Sequence, residues 1–369
     1  MGRIITASHR PETLFGYGGK KFFRQSGVFV SPLTGLIRVM CIGGGGGGAS
    51  GSSGGSNPFM ARGGGGGGFA LKEIYVKRGD SFVVTIGNGG NGGSGSSDID
   101  RRGKPGGFSS FGQVVSATGG KGGDAANMGE FTQEFLGGTG QGGDINFAGG
   151  NGGRFVGNNG QPLPGNSAIF NSATGGGAAA SLYGDGGSGG DFILKVGNGS
   201  AELCATGGGG VGMSDAEPIN IESANVTGKT SNGAGTAGLG VEGRFFTAGH
   251  TSFLQPGSDG LSRFLLSPIY PMDGKGGSVG GTSGLPGAGG GGRGGIMQST
   301  TPPENILALL CGGGGGVAGA KGASGQSVRA GGGGFFGGGG GAVSAFGTSF
   351  NQSNQNGGNG SSGIVIIEW

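Results

Sequence analysis

Few residues in this chain could do acid–base, nucleophilic or metal chemistry, and their spacing points away from it. Among 369 residues there are two His, His9 and His250, and three Cys, Cys41, Cys204 and Cys311. Metal sites rich in His and His-paired nucleophiles therefore lack material. Three widely spaced thiols make neither a metal knuckle nor a disulfide framework. Cys41 and Cys311 close strand-like apolar runs and are expected as small buried residues. The pattern GxGxxG recurs, but at this glycine content it says nothing without a strand–loop–helix context. Gly228-Lys229-Thr230 resembles the end of a phosphate-binding loop, yet Ser223 stands where the earlier glycine belongs. Asp98, Asp100 and Asp124 are expected to form turns rather than to ligate a cation. Lys20-Lys21 and Arg101-Arg102 are expected as solvated basic pairs rather than a nucleic-acid footprint. No catalysis, cofactor, metal or nucleic-acid partner is expected.

The elements that hold these residues are set by composition. Glycine supplies 108 of the 369 residues, roughly four times average usage. There are also 23 Phe but only 13 Pro, and 23 basic against 20 acidic residues give a net charge of +3. Collagen is excluded, because it needs glycine at every third position and Pro at roughly 15–20% or more. Here the glycines fall in blocks: Gly43–Gly48, Gly63–Gly68, Gly312–Gly316, Gly331–Gly334 and Gly337–Gly341. A helical fold is excluded too, since each interior glycine costs about 1 kcal/mol relative to Ala. No apolar run approaches the ~20 residues of a membrane-spanning helix.

Strands are legible between the blocks. GVFVSPLTGLIRVMCI gives two extended stretches around a turn, Phe69–Lys77 and Ser81–Ile86 flank a turn at Arg78-Gly79-Asp80, and SSGIVIIEW is a buried closing strand. FGQVVSATGG and AELCATGG repeat one device, a short strand ending in Ala-Thr-Gly-Gly. Longer aromatic segments intervene at Met128–Leu136, Arg154–Tyr183, Arg244–Met272 and Val343–Asn356. They are read either as loops that bury their own aromatics or as recognition loops on a rigid scaffold.

A run of six glycines has nothing to bury, so it can order only by satisfying its backbone amides. The polyproline II conformation, with three residues per turn and no internal hydrogen bonds, points its N–H and C=O groups outward. Without Cβ atoms, neighbouring helices can approach until those groups bond one another. Fixing a residue costs roughly 1–2 kcal/mol and a net hydrogen bond returns about 0.5–1.5 kcal/mol. Only a lattice of many such helices, sealed by apolar strands, would hold. The expected fold is mainly β and irregular, short strands combined with a glycine-rich polyglycine II sandwich and essentially no α-helix. Gly45, Gly46, Gly65, Gly66, Gly314, Gly333 and Gly339 are its expected scaffold positions.

The ordered set SGVFVSPLTGLIRVMCIGGGGGG, GGGGGGFALKEIYVKRGDSFVVTIGNGGNGG and GGFSSFGQVVSATGGKGG, closed by GSSGIVIIEW, resembles the glycine-rich domain of bacteriophage tail-fibre and tail-tip proteins. The likeness covers residues 26–123 and 357–369, and more loosely 186–210 and 306–342. It is similar to the polyglycine II adhesins of T-even-like phages. The resemblance implies a virion tail protein, assembled in the host cytoplasm, whose scaffold displays aromatic loops to a bacterial surface receptor, either an outer-membrane protein or a polysaccharide. Residues 1–25 would then be the attachment segment to other tail proteins, and 26–369 the domain, with aromatic inserts at about 127–183 and 244–272. The implied receptor-facing residues are Phe131, Phe135, Phe155, Phe170, Tyr183, Phe245, Phe246, His250, Phe253, Tyr270 and Phe350. A homotrimer is one assembly the resemblance allows. Two other readings stay open: a structural tail or baseplate protein without receptor contact, and a polyglycine II ice-binding or extracellular module. Regular Gly-X-X repeats, expected of the last, are not evident along the chain.

Overall fold

The computed structural model describes residues 18–53, 59–94, 101–127, 136–156, 169–170, 172–182, 184–194, 201–209, 215–216, 218–221, 226–230, 295–299, 306–310, 336–341, 343–346 and 356–369. Among these there is no helix. Along the chain the strands are β1 (Lys20–Phe23), β2 (Gly27–Val30), β3 (Gly35–Ile42), β4 (Ser50–Ser53), β5 (Phe59–Ala61), β6 (Phe69–Val76), β7 (Ser81–Thr85) and β8 (Ser109–Phe111). They continue with β9 (Val115–Ala117), β10 (Ala125–Asn127), β11 (Gly140–Gln141), β12 (Ile145–Phe147), β13 (Phe155–Val156), β14 (Ile169–Phe170), β15 (Ser172–Ala173) and β16 (Phe192–Leu194). The last are β17 (Ala201–Ala205), β18 (Ile219–Ile221), β19 (Val226–Thr230), β20 (Gly295–Ser299), β21 (Ile306–Leu310), β22 (Val343–Phe346) and β23 (Ile364–Glu368).

Two sheets form a β-sandwich, in the orders β1-β23-β3-β6-β12 and β11-β9-β8-β7-β2. All their pairings are antiparallel. Period-two alternation sorts β3 cleanly. Ile37, Val39 and Cys41 face the second sheet, where they meet Phe29, Val84, Phe111 and Val115. Met40 and Ile42 face the other way, onto Phe69, Leu71, Ala179, Ala180 and Phe336. The closing strand β23 lies between β1 and β3 and is buried on both faces, which is why it reads as an unbroken Ile-Val-Ile-Ile run rather than an alternating one. The expected extended stretches form as β2 and β3 and as β6 and β7, though in each case the two strands enter different sheets.

Three further sheets, β10-β5-β15-β17-β14 with β19 on β17, β13-β16-β18, and β20-β21-β22-β4, pack against one another, with parallel and antiparallel pairings mixed. The chain shuttles between the sandwich and this second group. It leaves β3 for β4 through residues 43–49, returns from β5 to β6 through 62–68, leaves β9 for β10 through 118–124 and β12 for β13 through 148–154. Each traverse is a glycine-rich segment. The molecule is therefore a glycine layer held between a β-sandwich at one end and three small sheets at the other.

β1 lies within the expected attachment segment, yet it pairs residue for residue with β23, so the scaffold already includes residues 20–23. The expected insert 127–183 is likewise divided, because 136–156 and 172–182 belong to the sheets and the glycine layer.

Candidate functional site

The glycine layer is ordered by its hydrogen bonds, and their period is three. In residues 43–49, Gly43, Gly46 and Ala49 donate N–H to Gly68, Gly65 and Arg62 at 3.0, 2.8 and 2.9 Å. Gly44 and Gly47 donate to Gly107 and Lys104, and Gly45 and Gly48 to Ser361 and Gly358. Each third residue thus addresses the same antiparallel neighbour. The carbonyls repeat the rule towards parallel neighbours: Gly44 and Gly47 accept from Gly120 and Gly123, Gly45 and Gly48 from Gly90 and Gly93, and Gly46 from Gly340. A segment with three residues per turn and every amide turned outward is a polyglycine II helix. Residues 43–48 sit at the centre of six others, 62–68, 101–107, 356–361, 87–93, 118–124 and 337–341, in a hexagonal array.

The array leaves no space for a side chain. A Cβ on Gly45 would run into the Gly338 carbonyl oxygen, on Gly46 into that of Lys121, on Gly65 into that of Leu136, on Gly66 into that of Ala178, and on Gly339 into that of Gly64. The second Cα hydrogen of these glycines therefore faces a carbonyl oxygen, a weak contact of about 0.5–1 kcal/mol that adds to the amide bonds. These five expected scaffold positions are placed inside the array; Gly314 and Gly333 lie outside the described residues.

At its margin the array has a second sequence signature. Asn88, Asn91 and Ser94 alternate with glycine pairs, as do Thr118, Lys121 and Asp124, then Ala148, Asn151 and Arg154, then Asp185, Ser188 and Asp191. Asn88, Asn91, Ser94 and Lys121 are exposed, while Gly90, Gly93, Gly120 and Gly123 are buried. X-Gly-Gly repeats are therefore present after all. They mark helices whose third edge leaves the lattice, and they are easily overlooked because each spans only two or three triplets.

Where the direct bonds between two neighbouring helices stop, as one triplet beyond Gly66 to Gly150 and Ala178 to Gly187, threonine bridges them. Thr174 Oγ1 accepts the Gly63 N–H at 3.3 Å and donates to the Gly153 carbonyl at 2.9 Å. Thr206 Oγ1 accepts from Gly175 at 3.0 Å and donates to Gly190 at 2.7 Å. Both threonines are fully buried. The Ala-Thr-Gly-Gly device thus occurs at Ala117, Ala173 and Ala205. The copy at Ala173 was readable in the sequence from the same tetrapeptide, which there follows a strand of two residues.

Charge is concentrated where the array meets the second group of sheets. Asp124 is fully buried, forms an ion pair with the Arg102 guanidinium at 3.0 Å and accepts the Ala125 N–H at 2.9 Å. Arg62 and Arg101 are buried beside it. Burial pulls the Arg62 guanidinium down to about 10, with Asp124 and Asp191 opposing the shift, so it stays charged at neutral pH. Asp124 is thus a buried counter-ion rather than a turn former, and Arg101 is not solvated: packing against the lattice end removes it from water. Lys20 pairs with Glu368 at 2.7 Å. The Cys41 thiol is buried as expected, and burial pushes it up to about 12, so it stays protonated.

The aromatic residues expected to face a receptor are distributed unevenly. Phe155 is 3% exposed, and its ring packs on Phe192 at 5.7 Å between centroids, so it serves the interior rather than a displayed surface. Phe170 lies in β14, parallel to β17. Phe131, Phe135, Tyr183, Phe245, Phe246, His250, Phe253, Tyr270 and Phe350 lie outside the described residues, as do Asp98 and Asp100. Strand directions nevertheless fix where several of their segments are tethered. β10, β13 and β22 run away from the glycine layer, so segments 128–135, 157–168 and 347–355 leave the scaffold at its outer end, the first and last rejoining it in the layer at Leu136 and Asn356. β19 runs towards the layer and β20 away from it, so 231–294 is joined on the inner side of those sheets.

No group of three or more His, Cys, Asp or Glu side chains suited to a metal occurs among the described residues. No curated protein matches the chain at a significant level. The family profile of the glycine-rich domain matches residues 25–260, which hold most of the traverses and every sandwich strand except β1 and β23, and the chain belongs to that glycine-rich domain family.

Proposed function

We propose that this chain is a phage tail-fibre or tail-tip adhesin, in which the lattice is a rigid spacer between a docking end and a receptor-facing end. One observation supports the reading above the others. Strand β1, into which residues 1–17 lead, joins the β-sandwich at one end, while segments 128–135 and 347–355, carrying Phe131, Phe135 and Phe350, leave the scaffold at the opposite end and return to the glycine layer. A lattice bonded in every direction transmits position between the two without hinges. Aromatic side chains on short loops offer contact area at low entropic cost. The partners in this reading are neighbouring tail proteins and a bacterial surface molecule, and the place of action is the virion tail.

Adsorption of the labelled full chain to a panel of bacterial strains, with inhibition of infection, tests the reading. Saturable adsorption that falls at least about tenfold when Phe131, Phe135 and Phe350 are changed to Ser supports it. A parallel variant altered at Phe245, Phe246, Phe253 and Tyr270 reports on segment 244–272. Loss in that variant alone would move the contact there; adsorption to no strain would favour a purely structural tail component.

A further inference from the structure

At both long edges of the β-sandwich the chain crosses between the sheets by a short link, residues 142–144 on one and 24–26 on the other, but among the described residues only the first is tied by a backbone bridge. On one, β11 and β12 follow one another through residues 142–144, so the chain crosses from the second sheet to the first and closes the edge. The bridge Thr139↔Ala148 ties its base. Asn146 donates to the Gly143 carbonyl at 2.8 Å and accepts its N–H at 3.1 Å, and Asp144 accepts the Glu73 N–H at 2.9 Å. On the opposite edge, β1 and β2 are outermost, and no described strand pairs with the outer side of either.

β2 presents an apolar outer face. Phe29 turns inward against the Phe111 and Trp369 rings, whereas Val28 and Val30 point out, 52% and 56% exposed. Val28 stands directly opposite Val83, itself 63% exposed. Three valines thus make an apolar strip running to an open strand edge, an arrangement that monomeric proteins ordinarily blunt with charge, proline or a bulge.

The flanks are basic. Lys21 is exposed, with its ammonium 4.8 Å from the centre of the Phe23 ring, which lies beside Gly27 at the start of β2. Lys77 and Arg78 are exposed in the turn that follows β6, where Gly79 donates to the Ser31 carbonyl at 2.9 Å, just past the end of β2. The nearby acids are engaged: Asp80 accepts the Lys77 N–H, Glu368 pairs with Lys20 and Glu73 with Arg38.

We infer that β2 is a strand-addition site for an extended segment of a partner protein that alternates apolar with small polar residues and carries acidic residues at both ends. Backbone bonds along the edge would supply affinity, the valine strip would set register, and the basic flanks would choose the partner. Residues 1–17 of this chain do not fit, since Arg3, His9 and Arg10 against Glu12 leave them basic. A second copy fits poorly, because pairing two β2 strands brings like-charged flanks together. The inference rests on the adhesin reading only in taking the partner to be a neighbouring tail protein.

The test is fluorescence anisotropy on the full chain with a short labelled peptide of alternating valine and threonine, flanked by glutamate pairs, against the same core flanked by lysine pairs. The acidic peptide is expected to bind at least about tenfold tighter. Binding should vanish in a Val28→Lys, Val30→Lys variant with unchanged melting, and persist in Phe108→Ser, which alters an exposed ring away from the strip. Equal affinity for the two peptides, no binding of either, or indifference to the valine changes overturns the proposal. A concentration-dependent dimer, lost in the same variant, would replace it with homotypic edge pairing. Adsorption to cells, measured separately, reads the displayed loops: its absence in the unaltered chain sinks the adhesin reading and leaves the peptide result standing.

Discussion

The central glycine helices and the marginal ones share a conformation and a bonding rule, but they differ in what sequence can write them. Residues 43–48 and 63–68 are all glycine because neighbours on every side bring carbonyl oxygens to where a Cβ would stand. In 88–94 one residue in three faces water, and in 118–124 Lys121 does; Asn, Ser or Lys occupies these positions. Glycine content along this chain is thus a measure of depth in the lattice. It inverts the usual pattern, in which depth is written in Leu, Ile and Phe. Among the described residues, apolar side chains close the array at its end, as with Ala179 and Ala180, which pack under Met40 and Phe336.

The contrast can be broken most severely at the centre. Gly65→Leu places a branched side chain against the Leu136 carbonyl. Overpacking of this kind costs about 1–3 kcal/mol where neighbours can relax and more where they cannot; here the neighbours are backbone, so loss of folded protein is expected on expression and melting. The corresponding marginal exchange, Lys121→Ala, should move stability by less than about 0.5 kcal/mol. Wild-type melting for Gly65→Leu, or collapse of Lys121→Ala, would erase the distinction between the two kinds of helix.

A smaller effect is expected at the bridges. Thr174→Val keeps the shape but strands the Gly63 N–H and the Gly153 carbonyl, at about 1–3 kcal/mol for each group left unsatisfied. Thr174→Ser should recover most of the loss, because the hydroxyl is what the lattice uses. Denaturant titration of the two variants separates the hydroxyl from the methyl.

The smallest effect belongs to the sandwich edge. The Glu73 N–H, and then Lys72 at 3.2 Å, hold the Asp144 carboxyl below its ordinary value. A depressed folded-state value means the contribution is present above the unfolded pKa, near pH 4, and is lost as pH falls through the folded value. Asp144 is exposed, so solvent screening keeps the effect to a few tenths of a kcal/mol. Asp144→Asn should lower stability by that amount at neutral pH, leave it unchanged below the folded value, and so flatten the acid limb slightly.

Much of this was legible in residues. The closing strand β23, the strands flanking each block, and the central glycines followed from period, composition and the absence of side chains. The marginal helices were not recognised, because Asn88-Gly-Gly-Asn91 is the same text whether a helix forms or a flexible loop does; only the neighbours give it a face. Arg101 and Asp124 were misplaced for a related reason. A residue's solvation in a lattice depends on which traverse passes beside it, and that order is set by non-local pairing. Phe155 was drawn into the interior by Phe192, a partner from another two- or three-residue strand too short to show a period.

The most direct test of the lattice is amide hydrogen exchange at Gly44–Gly48 and Gly64–Gly67, compared with Val365 in β23. Because every one of these N–H groups is bonded to a neighbouring segment, the glycines should exchange as slowly as Val365, by global unfolding alone. Exchange at free-peptide rates in the glycines while Val365 stays protected would contradict the account.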